Sequence, residues 1–103
     1  MGKTIKIDYR AEKELNSFSE SIYYKFEGLI KILRGEGKIG FPDGKKIGPN
    51  LFEIRIKVNG EYRGIYAYLK LDSIIILCFF RKKTQKTPLK LLKLAKKRLN
   101  EYE

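Results

Sequence analysis

Residues 74–80, Ile74-Ile75-Ile76-Leu77-Cys78-Phe79-Phe80, form an unbroken apolar run within a chain of 103 residues. The run is too short for a helix of ordinary length and is apolar at both odd and even positions, so it is expected as a strand at the centre of a sheet. It ends abruptly in Arg81-Lys82-Lys83.

The other segments arrange themselves around that strand. Ile5 and Ile7 alternate with Thr4, Lys6 and Asp8, which predicts a short half-buried strand ending at an acid able to cap a helix. Ala11, Leu15 and Phe18 follow at helical spacing, and Ser17-Phe18-Ser19-Glu20 has the form of a capping box opening a second helix. Its apolar stripe is Ile22, Phe26, Leu29, Ile30 and Leu33, and Gly35 and Gly37 stop it. Residues 35–50 hold five of the nine glycines and two of the three prolines, the composition of a loop. Phe52, Ile54, Ile56 and Val58 alternate with Glu53, Arg55 and Lys57, and Asn59-Gly60 turns the chain back into Tyr62–Leu69. Thr87-Pro88 predicts a last helix, with Thr87 as its cap and Pro88 at the first helical position. Leu92, Ala95, Leu99 and Tyr102 form its inner stripe, and Lys90, Lys93 and Lys97 its outer one. The order is β-α-α-β-β-β-α in a single domain, 1–103.

Twenty-three Lys and Arg against 12 Asp and Glu give a net charge of +11, a field that attracts polyanions and makes nucleic acid the leading partner class. Nine of the basic residues lie between Arg81 and Arg98, a span with no acid. One cysteine and no histidine exclude an internal disulfide and the usual zinc ligand sets, so neither a metal nor another cofactor is expected. Cys78, inside the central run, is expected as a packed, inert thiol. The N-terminus carries no apolar signal core and no run approaches a membrane span, so a cytoplasmic protein without a membrane partner is expected.

Three stretches carry a resemblance: Leu51-Phe52-Glu53-Ile54-Arg55, then Tyr62-Arg63, then Phe80-Arg81-Lys82-Lys83-Thr84-Gln85-Lys86-Thr87-Pro88. Together they resemble the phage-derived, HigB-like branch of the RelE/ParE toxin superfamily, and the last block, Phe-x-Lys-Lys-Thr-x-Lys-Thr-Pro before a basic helix, is the most specific. Residues 1–48 match in layout more than in letters. The resemblance implies an α+β fold with helices on one face of an antiparallel sheet and RNA on the other. It also implies a ribosome-dependent messenger-RNA endonuclease, the toxin of a type II toxin–antitoxin pair. Its partners would be the ribosome with its message and a cognate antitoxin, often a helix-turn-helix protein, the pair binding operator DNA.

Cleaving RNA without a metal requires deprotonating a 2′-hydroxyl, stabilising a doubly charged phosphorane and protonating the leaving 5′-oxygen. Arg55, Arg63, Lys82 and Lys83 can meet the second requirement, the guanidinium forks gripping phosphate bidentately. They are expected as an exposed, mutually repelling cluster. A lysine among other cations has a lowered pKa, so Lys82 or Lys83 is a candidate base or acid. Glu53, on the same strand face as Arg55, is either a second base or an ion-pair partner of a neighbouring arginine. Thr84, Gln85 and Thr87, at a helix start, can hold a backbone phosphate. Arg81, Lys86, Lys90, Lys93 and Lys97 are candidate RNA contacts, and Phe80 either stacks on a base or packs in the core.

Two rival readings share these features: a ParE-like toxin, which inhibits DNA gyrase and cleaves nothing, and a non-enzymatic basic RNA- or DNA-binding module. A shared catalytic face also sets a parity condition. A two-residue hairpin loop would put Arg63 on the side of Ile56, whereas a loop of odd length puts it with Arg55 and sends Tyr62, Tyr66 and Tyr68 to the helix-covered side.

Overall fold

A computed structural model describes residues 2–70, 72–83 and 86–103. In chain order the elements are β1 (Thr4–Ile7), α1 (Tyr9–Asn16), α2 (Glu20–Glu36), β2 (Gly44–Gly48), β3 (Leu51–Lys57), β4 (Glu61–Tyr68), β5 (Ser73–Lys82) and α3 (Leu89–Asn100). The five strands form one sheet in the order β1-β5-β4-β3-β2. The expected α+β layout holds, and β5, the apolar run, lies inside the sheet between β1 and β4.

Three details depart from expectation. The sheet is mixed rather than antiparallel, because β1 lies parallel to β5, with Ile5 opposite Ile74 and Ile7 opposite Ile76. A strand, β2, lies within the stretch expected to be a loop and pairs with β3. Its residues, Gly-Lys-Lys-Ile-Gly, lack an apolar alternation because an edge strand held by ladder hydrogen bonds needs little burial. Finally, the helices do not share one face. α1 and α2 cover Ile54, Ile56, Tyr66, Ile74, Ile76 and Phe79, whereas Ala95 and Leu99 of α3 pack on Leu51, Ile65, Ala67, Ile75, Leu77 and Cys78. A central strand apolar on both sides needs cover on both, and α3 supplies the second layer. Phe80 is half-buried in this second cluster, and Cys78 is buried, its thiol pushed up to about 12 by burial.

Local signals explain most boundaries. Asp8 caps α1 by accepting from the amides of Arg10 and Ala11. Gly37 ends α2 with φ 80°, a left-handed conformation that glycine adopts without a Cβ penalty. The Ser17–Glu20 box does not form: Ser19 stands at the N-cap position of α2 without a side-chain cap bond, and Ser17 closes α1 instead, its hydroxyl donating to the Glu14 carbonyl at 2.6 Å. Lys57 pairs with Glu61, so residues 58–60 form a three-residue loop, with Asn59 at φ 50° and Gly60 at φ 131°. The odd loop sets Arg55 opposite Arg63 and sends Tyr62, Tyr66 and Tyr68 to the α2 side.

A polar network ties the end of α3 back to α1. The fully buried Asp8 carboxylate accepts from the Arg10 guanidinium and, at 2.7 Å, from the Tyr102 hydroxyl. Arg98, also buried, donates to the Leu77 carbonyl and to both oxygens of Glu14. Burial on its own would raise the Asp8 pKa, but the hydrogen bonds from Arg10, Tyr102 and the two amides outweigh it and hold the carboxyl well below the usual carboxylate range. Because the folded-state pKa is depressed, this stabilisation is present above the ordinary carboxylate range and is lost as pH falls below it. Tyr102→Phe removes a hydrogen bond to a charged group and is expected to cost about 1.5–3 kcal/mol at neutral pH. Urea unfolding at pH 7 and pH 3 checks both points: wild type should already be less stable at pH 3, while the gap between variant and wild type persists there because the native carboxyl is still ionised.

Candidate active site

On the sheet face that carries α3, β3, β4 and β5 bring Glu53, Arg55, Arg63 and Lys82 together. Glu53 is the hub there. Its side chain is 1% exposed, and Oε1 accepts from Arg63 Nη1 at 2.7 Å and from Arg55 Nε at 3.4 Å. Oε2 accepts from the Thr87 hydroxyl. Both carboxylate oxygens are thus engaged by protein donors.

Arg63 is not part of an exposed cluster, as the sequence had led us to expect. Its side chain is 5% exposed and is held between Glu53 and Glu61, with Nη2 3.0 Å from Glu61 Oε2. The reason lies in the neighbouring rows: Glu53 and Glu61 share its sheet face on either side of the Arg55–Arg63 row, so the arginine sinks between two carboxylates. Its Nε is buried and, among the described residues, has no hydrogen-bond partner.

Arg55 and Lys82 are more accessible. Arg55 keeps 25% of its side chain exposed while its amide donates to the Asp43 carbonyl. Lys82 is half-buried opposite Glu61. Burial, and then the positive charge of Arg63 and Arg55, depress the Lys82 pKa, against a partial opposing pull from Glu53 and Glu61. Arg55 and Lys82 line a cleft of about 380 Å³ whose other walls include Lys45 from β2, Lys86 and Thr87 from the loop before α3, and Leu92 of α3.

The remaining candidates are dispersed. Lys83 is exposed just beyond β5. Arg81 points to the opposite sheet face, with its guanidinium carbon 5.7 Å from the centroid of the Tyr62 ring. Lys90, Lys93 and Lys97 are exposed along α3 and do not line the cleft. Thr84 and Gln85 lie outside the described residues. Thr87 does not cap α3: the helix starts at Leu89 with Pro88 as its cap residue and no side-chain cap bond. The Thr87 hydroxyl instead donates to Glu53 Oε2, and a hydrogen bond to a carboxylate is stronger than one between neutral groups. Sequence reasoning missed Lys45, since the strand that carries it has no apolar period.

This layout is the RelE-like fold found in toxins of toxin–antitoxin systems. The chain superposes on a mutant of the E. coli toxin RelE in the free state with a TM-score of 0.75 and 15% identity, over 96% of this chain and 99% of that one. On the archaeal RelE–RelB complex from Pyrococcus horikoshii OT3 the TM-score is 0.62 at 29% identity, covering 79% and 96%. On the toxin–antitoxin complex RelBE2 from Mycobacterium tuberculosis it is 0.62 at 17%, covering 80% and 100%. No curated protein sequence matches the chain. The chain belongs to the family described as phage derived protein Gp49-like (DUF891), whose family model matches residues 13–100.

Proposed function

We infer that the protein is the toxin of a toxin–antitoxin pair and cuts messenger RNA on the ribosome by activating a 2′-hydroxyl. The observation that carries this reading is the convergence of Arg55 and Lys82 on one basic cleft, braced from beneath by the buried Glu53–Arg63 pair. Lys82, with its depressed pKa, takes the 2′-hydroxyl proton, and the 2′-oxygen attacks the adjacent phosphorus. Arg55 offers its guanidinium to the phosphorane oxygens. The Lys86 ammonium, on the loop wall, gives a proton to the departing 5′-oxygen, leaving a 2′,3′-cyclic phosphate and a 5′-hydroxyl. Glu53 and Arg63 act as positioning residues: the carboxylate has both oxygens occupied and is nearly inaccessible, so it orients Arg55 and anchors the loop through Thr87. Exposed Lys83, Lys90, Lys93 and Lys97 contact RNA backbone, and an antitoxin protein silences the toxin, a partner supported by the likeness to the toxin–antitoxin complex RelBE2 and the RelE–RelB complex. These are cytoplasmic partners.

The test is to incubate the protein with programmed, translating ribosomes, with the same RNA free in solution, and with DNA gyrase. Rapid cutting of ribosome-bound message and slow or no cutting of free RNA is expected. Intact message with blocked gyrase would replace the reading with the ParE-like one.

A further inference from the structure

The strand β2 extends the basic face in a direction the sequence did not indicate. Its Lys45 pairs with Glu53 and therefore shares the face of Arg55, Arg63 and Lys82. Its neighbour Lys46 turns to the other face, where its ammonium lies 5.9 Å from the centroid of the Phe52 ring. The registers place the cations on a diagonal. Lys45 stands in the row of Glu53, Arg55 and Arg63 face each other two residues farther along β3, and Lys82 stands opposite Glu61 in the row beyond. Three inter-strand spacings of about 4.8 Å separate β2 from β5, so the diagonal is at least about 14 Å long, enough to follow a backbone rather than hold one phosphate.

At the β2 end the cleft changes character. Ile47 and Leu92, both half-buried against the α3-side cluster, line it beside Lys45. An apolar wall next to an ammonium is what a nucleotide needs, with the base against carbon and the phosphate against charge. Glu53, a carboxylate in the same cleft, is already engaged by Arg63, Arg55 and Thr87, so it does little to offset Lys45.

We propose that the β2–α3 end of the cleft is a subsite for a nucleotide flanking the cleaved bond, with the Lys45 ammonium on its phosphate and Ile47 and Leu92 against its base. The proposal rests on the reading of the chain as a ribosome-dependent RNA-cleaving toxin. It is tested by cleavage of message on programmed ribosomes across protein and salt concentrations, with Lys45→Ala, Lys45→Arg and Ile47→Ala beside wild type. Lys45→Ala should raise the half-saturating concentration about three- to ten-fold, with most of the loss there rather than in the saturated rate, and should shrink the salt slope by about 0.7. Lys45→Arg should restore both. An abasic nucleotide placed in turn at each position beside the cut should weaken wild type at one of them and Ile47→Ala at none. Wild-type cutting with all three variants inside two-fold of it would overturn the subsite and leave the cleavage reading standing. Failure of wild type to cut on the ribosome would remove both.

Discussion

Glu53→Ala is expected to unfold the protein at moderate temperature rather than merely inactivate it. The substitution leaves the guanidinium of Arg63, whose side chain is 5% exposed, with Glu61 as its one remaining carboxylate partner among the described residues, and frees Thr87 from the sheet. Removing one member of a buried ion pair costs about 3–5 kcal/mol. For a domain of this size that corresponds to a fall in Tm of roughly 12 °C or more. Arg63→Ala should behave similarly, because it leaves the Glu53 carboxylate, 1% exposed, with a longer contact to Arg55 and one hydroxyl. Replacing both at once by methionine should recover much of the loss, since two apolar side chains leave no buried charge. Thermal unfolding by circular dichroism decides it: single variants melting within about 2 °C of wild type would mean that the pair does not organise the sheet's end.

Lys82→Ala should do the reverse. Lys82 is half-buried, no ion pair among the described residues holds it, and Arg63 and Arg55 repel its charge, so Tm should stay unchanged or rise slightly. The single-turnover cleavage rate on ribosomes should fall roughly a hundred- to ten-thousand-fold, the usual contribution of a positioned general base. In wild type the rate should climb with pH until Lys82 is largely deprotonated, reaching its plateau below the pH an ordinary lysine would require, since its pKa is lowered. Lys90→Ala, on the exposed face of α3 outside the cleft, serves as the comparison and should change the rate only modestly. A fully active Lys82→Ala protein would show that the proton is taken elsewhere.

The contrast between these variants follows from what a sequence expresses locally. The central strand, the α2 stripe and the odd hairpin loop were written in short-range patterns: apolar at every position, apolar at helical spacing, and a parity set by Arg55 and Arg63. That Arg55 and Arg63 share a sheet face was readable for the same reason, whereas the facing of Lys82 was not, because a register shift in the β4–β5 pairing interrupts the alternation along β5. Nor was depth. Whether Arg63 lies on the surface or beneath it depends on the carboxylates that flank it across β3 and β4 and on how far α3 reaches over the sheet. The strand β2 was hidden because backbone pairing, not side-chain burial, makes it, and Lys45 was hidden with it. Thr87 looked like a cap because its distant acceptor, Glu53, lies 34 residues earlier in the chain.

The central claim, attack by a 2′-hydroxyl within the Arg55–Lys82 cleft, is tested most directly by changing that one group in the message. A ribosome-bound RNA carrying a 2′-O-methyl nucleotide on the 5′ side of the mapped cut should resist the protein, while the unmodified RNA is cut to a 2′,3′-cyclic phosphate and a 5′-hydroxyl. Undiminished cutting of the methylated message, or products ending in a 3′-hydroxyl and a 5′-phosphate, would contradict it.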